Sequence, residues 1–476
     1  MTRLFQKKNL MILAFSAAAL HALLGTLMYF FPVSSLWIVD HAVLGVLTGA
    51  MVIHCALQAS PPRFDAPQLL LILYMAWYVI CCLSMSFKYN SDWVSYNAEP
   101  LVNTAVSLLV LFPLGCAVSR HGWVKTGRIL LWIILLAWSA FMLFVLVSVF
   151  RGAVIPVPSG GAILMKDNSL LLNCNRNTTG AIELVFLLGC CYAACRNRLI
   201  VWKVLFGLSA LVHYAALVLS NSRTAVFAAL PACAAIAGIM VYLALKNKKG
   251  AVRLIAALAA GLIAAAAFYL LRGPVFSAYN ASVHADKAAV QTQSAGDTAV
   301  SAAAAAETAE AVRDLVTNGE INLTGRIPIW RAAFNGLFTS VRTFVFGVTP
   351  PSVPSMIDQM RGRTYNMYTH NQFLEIAAST GVPGLILFLS WLALMGRDAL
   401  RLFLKKKERS PLLLLPVLIL SLLLANLTEA TLLYYHFLTG YVFFFLCGML
   451  HGAVSDAPAG NKLSRQALRK KSRRKK

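Results

Sequence analysis

Three short stretches hold side chains whose types and spacing could do chemistry. The first is Ser220-Asn221-Ser222-Arg223-Thr224, at the start of an apolar run. A guanidinium presents donors in a fixed fork that suits phosphate, and the same position also suits an arginine snorkelling from a helix end. The second is Leu323-Thr324-Gly325-Arg326-Ile327-Pro328-Ile329-Trp330. Here Thr324 could cap a helix entered through Pro328, which would set Arg326 near a helix N-terminus, itself an anion site; a solvated loop arginine is the alternative. The third is Tyr365-Asn366-Met367-Tyr368-Thr369-His370-Asn371-Gln372, ahead of Glu375 and Gly381-Val382-Pro383-Gly384. Histidine changes protonation near neutrality and can take a proton from an attacking hydroxyl, or His370 simply caps the run that follows. Arg176 and Glu429 stand in two other loops, as substrate contacts or as interface anchors.

The elements that must position these residues are membrane spans. Hydrophobic residues make up 59% of 476, charged residues only 13%, and the mean hydropathy is +0.70. Uncharged apolar runs recur along the whole chain, each long enough to cross about 30 Å of hydrocarbon. Helices are the expected form, since lipid offers the backbone no partners. The expectation is an all-α polytopic bundle of twelve spans, at 9–31, 36–57, 67–86, 102–119, 128–150, 178–195, 199–219, 224–245, 251–271, 380–396, 411–426 and 432–450, the tenth with a start as early as Asn371. With both termini in the cytoplasm, 29 Lys/Arg fall on inside segments and 13 outside, eight of these in one long loop. Short loops other than the C-terminal tail carry 20 inside against five outside, as the positive-inside rule requires.

Four regions follow from this count: a bundle of nine spans over 1–271, one large extracytoplasmic loop over 272–370, three spans over 371–450, and a basic cytoplasmic tail over 451–476. The loop has two halves. Residues 272–322 are Ala-rich and of low complexity, expected as a solvated or partly disordered helix. Residues 323–370 carry Arg326, His370 and a row of aromatic residues; Trp330, Phe334 and Phe338 at i, i+4, i+8 predict one helix face, ended by Pro350-Pro351 and Pro354, in a segment folded against the membrane.

Several function classes are excluded or lose support. The net charge of +24 comes largely from topology and from the nine Lys/Arg after Leu450, which argues for anionic lipid rather than nucleic acid. No DxD, GxxxxGK[ST], HExxH or GxSxG pattern occurs, so neither a nucleotide nor a metal has a visible site and no cofactor is expected. Nine of the ten cysteines lie in or beside apolar runs and Cys174 has no external partner, so they read as small packing residues. The N-terminal apolar run is too long for a signal-peptide core and reads as an uncleaved span. Gly45 and Gly49 form a GxxxG in the second span, a weak packing signal.

The order of the motifs against this topology resembles the O-antigen ligase family, a group of bacterial membrane enzymes that also includes O-antigen polymerases and O-linked protein oligosaccharyltransferases. The motifs that carry the resemblance are Asn175-Arg176-Asn177-Thr178-Thr179-Gly180, Ser222-Arg223-Thr224-Ala225, Gly325-Arg326 with Trp330, Phe346-Gly347-Val348, and His370-Asn371 with Phe373-Leu374-Glu375 and Gly381-Val382-Pro383-Gly384. The resemblance implies a GT-C-type membrane glycosyltransferase, independent of metal and nucleotide. It would transfer a glycan from undecaprenyl pyrophosphate to an acceptor hydroxyl on a glycan, lipid or protein. It further implies that Arg223 and Arg326 hold the pyrophosphate and that His370 activates or orients the acceptor. Arg176, Trp330, Asn371 and Glu429 are then further substrate contacts. The donor already carries a good leaving group, so two arginines to neutralise it and one histidine to guide the hydroxyl would suffice, and direct displacement would invert the anomeric centre.

Three other readings stay open on sequence. A polymerase of carrier-linked repeat units uses the same donor and differs only in acceptor. A twelve-span secondary transporter fits the span count, but the loop is one-sided, no duplicated halves are visible, and the nearest mid-span ionisable groups are Glu183 and His213. A membrane anchor for an assembly complex would need none of the three stretches.

Overall fold

The computed structural model describes residues 65–86, 93–120, 124–166, 168–245, 247–292, 326–362, 367–405, 411–435 and 437–455. The first two expected spans, Gly45/Gly49, Thr324, most of the Ala-rich half of the loop and most of the basic tail lie outside them. Among the described residues, eight helical stretches are long and apolar enough to cross a membrane: Ala66–Ser84, Asn97–Ser119, Leu131–Phe150, Arg176–Arg196, Ile200–Leu219, Arg223–Ala244, Gly250–Ser282 and Gln372–Leu404. Two shorter apolar helices, Leu412–Ala425 and Leu438–Val454, lie over the last two expected spans. The helix of the twelfth expected span starts late, at Leu438, because residues 426–435 leave the helical path.

In chain order the helices are α1 (Ala66–Ser86), α2 (Trp93–Ala105), α3 (Phe112–Arg120), α4 (Val124–Phe150), α5 (Arg176–Arg196), α6 (Ile200–Leu219), α7 (Arg223–Ala244), α8 (Gly250–Leu270) and α9 (Arg272–Thr292). They continue as α10 (Ile327–Leu337), α11 (Val341–Phe346), α12 (Val353–Arg361), α13 (Gln372–Lys405), α14 (Leu415–Ala425) and α15 (Leu438–Val454). A π-helical turn, Val106–Leu111, joins α2 to α3. The expected all-α class needs one amendment. Between α4 and α5 the chain forms a three-stranded antiparallel sheet in the order β1 (Ile155–Pro156), β2 (Ala162–Lys166), β3 (Ser169–Leu172). Its turns use Gly160, Gly161 and Asn168, all at positive φ, and Ile163, Leu170 and Leu172 are buried. The alternation is too short to stand out beside long apolar runs.

Two kinds of contact hold the bundle. Aromatic side chains fill its centre, with Tyr74, Tyr78, Phe112, Trp391, Tyr434, Phe443 and Phe444 fully buried. Elsewhere small residues bring backbones together: a Cβ on Gly448 would lie 2.0 Å from the Phe112 carbonyl oxygen, and one on Gly452 2.4 Å from that of Cys116. This GxxxG between α15 and α3, which lets backbones approach closely in lipid, was not singled out on sequence. Large apolar residues on the outer faces, such as Leu69, Leu73, Ile133, Leu208 and Leu262, are exposed, as a lipid-facing belt would be.

The two mid-span ionisable groups face each other. His213 Nδ1 on α6 lies 2.7 Å from Glu183 Oε2 on α5, and the Trp138 indole on α4 donates to Glu183 Oε1 at 3.1 Å. His213 Nε2 meets Ser139 Oγ at 2.9 Å. All four residues are buried, so α4, α5 and α6 are tied by one polar chain inside the bundle. At one end of the bundle, His451 on α15 sits between Asp398 of α13, at 2.6 Å, and Asp65 before α1, at 2.7 Å.

The second half of the loop departs from the expected helix in where that helix ends. α10 ends at Leu337, with Thr339 and Ser340 starting a new helix, so its end precedes the proline cluster. Pro350 and Pro354 instead stand in the first turns of later elements, a single 3-10 turn (Pro350–Ser352) and α12, where a missing N–H costs nothing. The Trp330 indole donates to the Thr369 carbonyl at 2.8 Å, whereas Phe334 and Phe338 are exposed. The loop is then clasped to α13. Val348 N donates to Ala378 O at 2.8 Å and Thr349 N to Ser379 O at 3.0 Å. Gly347 (φ 67°) and Gly381 (φ 70°) make this approach possible, since a Cβ on Gly381 would stand 2.1 Å from the Val345 carbonyl oxygen. The Phe346-Gly347 and Gly381-Val382-Pro383-Gly384 motifs are thus two halves of one joint, and α13 kinks there. Gly381→Ala should lower stability by about 1–3 kcal/mol from the φ strain alone, read as a drop in the apparent Tm of the detergent-purified protein; an unchanged Tm would mean that the loop and α13 are not joined through this glycine.

Candidate functional site

Glu429 organises the end of the bundle opposite His451. It lies in the non-helical stretch between α14 and α15, and consecutive carbonyls just before it are taken by donors from other elements. The carbonyl of Asn426 accepts from Gln372 N at 3.0 Å, that of Leu427 from Asn371 Nδ2 at 2.9 Å, and that of Thr428 from Arg326 Nη1. Further along, Leu432 N donates to Gln372 Oε1 at 2.8 Å, and Thr431 N to Asn426 Oδ1 at 2.8 Å. Irregular backbone in a membrane bundle is tolerated when protein satisfies it, and Gln372, Asn371, Asn426 and Arg326 do that here.

Three elements converge on the Glu429 carboxylate. Oε1 accepts from Arg326 Nη2 at 2.6 Å and from Asn177 Nδ2 at 2.8 Å. Oε2 faces His370 Nδ1 at 3.2 Å. The Arg326 and His370 side chains are 20% and 31% exposed, so both are reachable from outside the protein while Glu429 is largely covered. An ionised Glu429 makes His370 Nδ1 the donor, which leaves the Nε2 lone pair available to accept a proton. Arg326 uses only part of its fork on protein oxygens, and its other N–H groups can serve an anion.

His370 is held in place from both sides. Its φ is +49°, in the left-handed region that non-glycine residues adopt only when their surroundings impose it. On one side Thr369 receives the Trp330 indole at its carbonyl and gives both its N–H and its hydroxyl to Glu375 Oε2, at 3.1 and 2.7 Å. On the other, Asn371 accepts from Leu374 N at 3.0 Å, capping α13, and reaches Leu427. Tyr435 donates to Glu375 Oε1 at 3.1 Å and its ring lies 4.6 Å from that of Tyr368.

Helix N-termini gather around this network. Arg176 opens α5, Arg223 opens α7, Arg326 precedes α10, and His370 stands just before α13. Ser222 caps α7 and also donates to Asn177 Oδ1 at 3.4 Å. Thr428 Oγ1 donates to Thr224 at 2.9 Å. Arg223 is therefore flanked on both sides by residues bonded to the site. Each helix start adds partial positive charge to that of the arginines, a field suited to an anion with several negative oxygens.

The candidate residues read from sequence thus fall into two groups. Arg326, His370, Glu429, Asn371 and Trp330 join one hydrogen-bonded assembly. Arg176 and Arg223 stand exposed at its rim and are not among the partners of Glu429. Asn177, Gln372, Glu375, Asn426, Thr428 and Tyr435 had no individual role on sequence. One signal could have found some of them: Asn426, Thr428, Glu429 and Thr431 crowd into an otherwise apolar run, and Glu429 is the only acid from 411 to 455. Glu183 and His213, the mid-span pair considered for transport, satisfy each other within the bundle. Among the described residues, no group of three or more His, Cys, Asp or Glu is placed to hold a metal ion.

Residues 205–389 match a family model, Wzy_C, described as O-antigen ligase. No curated protein matches the chain. The matched stretch runs from α6 past the kink in α13, so it takes in Arg223, Arg326, Trp330, His370 and Asn371, while Arg176, Asn177 and Glu429 reach the site from outside it. Over that stretch, less than half of the chain, the match supports the O-antigen ligase family.

Proposed function

We propose that the chain transfers an oligo- or polysaccharide from undecaprenyl pyrophosphate to an acceptor hydroxyl on the extracytoplasmic face of the cell membrane, with both termini in the cytoplasm. The observation that carries this reading is the Arg326–Glu429–His370 assembly, set where four helices begin at one end of the bundle. Glycan transfer from such a donor needs a cradle for the departing diphosphate and a base for the incoming hydroxyl. Arg326, Arg223 and Arg176, with the helix N-termini, would supply the first. His370 would supply the second: its Nε2 accepts the acceptor proton while the Glu429 carboxylate fixes Nδ1–H and balances the imidazolium that forms. The hydroxyl oxygen then bonds to the anomeric carbon, the carbon–oxygen bond to the diphosphate breaks, and the configuration inverts. Glu429 would also hold Arg326 in register with His370, so leaving group and nucleophile are placed from a single carboxylate.

The reading is tested on the purified protein in vesicles with a carrier-linked oligosaccharide. His370→Ala, Arg326→Ala and Arg223→Ala should each lower transfer by about 10²–10⁴-fold, the usual scale for a general base or a charge-stabilising group, with insertion and monodispersity retained. Full activity in all three would sink the assignment. Glu429→Gln is the sharper test. The amide would donate to Nδ1 and move the imidazole proton to Nε2, so the group that must accept a proton would carry one, and a comparable loss is expected. His370→Ala and Glu429→Gln should then be non-additive when combined, because they disable one unit; multiplicative losses would separate them.

A further inference from the structure

The outer side of α10 and α11 carries an aromatic ladder that no part of the described protein covers. Phe334 is 56% exposed, Phe338 54% and Val341 82%. The rings of Phe334 and Phe338 lie 4.8 Å apart, and those of Phe338 and Phe344 5.5 Å apart. A contiguous apolar surface of this kind marks an interaction site rather than a water-facing one. Its depth can be read from α1. The apolar stretch Ala66–Ser84 is 19 residues long, about 28 Å at 1.5 Å per residue, which matches a hydrocarbon core of about 30 Å. Ser84 thus marks one edge of that core. Arg342 on α11 donates to the Ser84 carbonyl. Phe346 stacks on Trp77 with centroids 5.5 Å apart and planes 14° apart, and Trp77 lies about 10 Å further into the core than Ser84. α11 therefore lies beside the last two turns of a span, at the level of the exposed Ile80 and Leu83.

The turn between α10 and α11 is built for the same surroundings. Ser340 Oγ accepts from Thr343 N at 3.1 Å and Thr343 Oγ1 accepts from Ser340 N at 3.1 Å. Thr339 Oγ1 donates to Gly336 O at 2.8 Å, and Phe338 N to Asn335 O at 3.1 Å. The turn is exposed, yet these polar groups bond one another, as lipid requires and water does not. Between Ala332 and Val348 the only charged residue is Arg342, and it is turned toward Ser84.

We propose that the α10–α11 hairpin inserts into the extracytoplasmic leaflet, with Phe334, Phe338, Val341 and Phe344 against lipid acyl chains. Only the choice of leaflet rests on the function proposed above. The insertion hangs Arg326 and Trp330, at the other end of α10, at headgroup level, the height at which a lipid-linked diphosphate presents its sugar.

The test uses the full-length protein in phosphatidylcholine vesicles and reads no transfer. The unmodified chain is irradiated in a bilayer containing phosphatidylcholine with a diazirine near its acyl terminus, then digested and mapped. Lipid adducts are expected in the 334–344 peptide; a peptide free of adduct overturns the proposal. In a second arm, Phe338→p-benzoylphenylalanine, Val341→p-benzoylphenylalanine and Asn335→p-benzoylphenylalanine are irradiated and weighed intact. Asn335 lines a cleft of about 400 Å³ with Arg331 and Arg361 on another side of α10. A gain of one phospholipid mass at 338 and 341 but not at 335 is expected. Absence of lipid at 338 and 341, or a cross-link there to a second copy of the chain, overturns the insertion and leaves the transfer reading to stand or fall on its own mutants.

Discussion

Nearly every feature of the candidate site depends on one buried carboxylate having three partners. Glu429 is 9% exposed, in a chain with few acids, and a carboxylate so placed must be paired or it destabilises its surroundings by several kcal/mol. Arg326, Asn177 and His370 pair it, from the cap of α10, from α5 and from the segment before α13. Loop, bundle and last spans are therefore held together by a group whose loss would leave an arginine, an amide and an imidazole without their anchor. The same constraint gives the site its directionality, since the carboxylate fixes which imidazole nitrogen keeps the proton and which face of the guanidinium is left for an anion.

That carboxylate can stand there because the chain around it gives up helical structure in an organised way. The segment from 426 to 435 takes in the expected turn between the last two spans and the first residues of the twelfth, and its carbonyls are met by Gln372, Asn371 and Arg326, residues that also define the site. Structural satisfaction and chemistry are thus performed by the same side chains. The loop joins this arrangement through the Gly347–Gly381 joint, which sets α10 and α12 against the first turns of α13. The kink in α13 then lets its first turns serve the site while its remainder crosses the bundle.

How much of this was legible in the sequence follows from the range of each interaction. Span positions are written in composition, which acts locally, and the ten expected spans within the described residues all fall on apolar helices. Arg326 and His370 were legible because a cation and a histidine stand out in an apolar chain. Their meeting through Glu429 was not, because it joins residues 59 and 103 positions apart. Glu429 itself was visible only as a loop acid with an undecided role. The aromatic spacing of α10 was read as helical, but the partner of Trp330 was not legible: its indole N–H seeks an acceptor and finds Thr369, 39 positions away, whereas phenylalanine has no such group. The small sheet between α4 and α5 was missed because strands of two to five residues leave little periodicity.

The buried chain of Trp138, Ser139, His213 and Glu183 has a mechanical meaning. In hydrocarbon, helices packed through aliphatic side chains can creep along one another at little cost, since one methyl contact replaces another. A carboxylate bonded to an indole and an imidazole on two neighbouring helices has no such neighbouring state, because a slip of one residue would strand it. α5 carries Glu183 only six residues from Asn177, so the notch that Glu183 occupies also sets the height at which Asn177 meets the carboxylate above it. The polar chain works as a detent: it turns a sliding contact into one with a single stop, and the outer end of α5 inherits that stop.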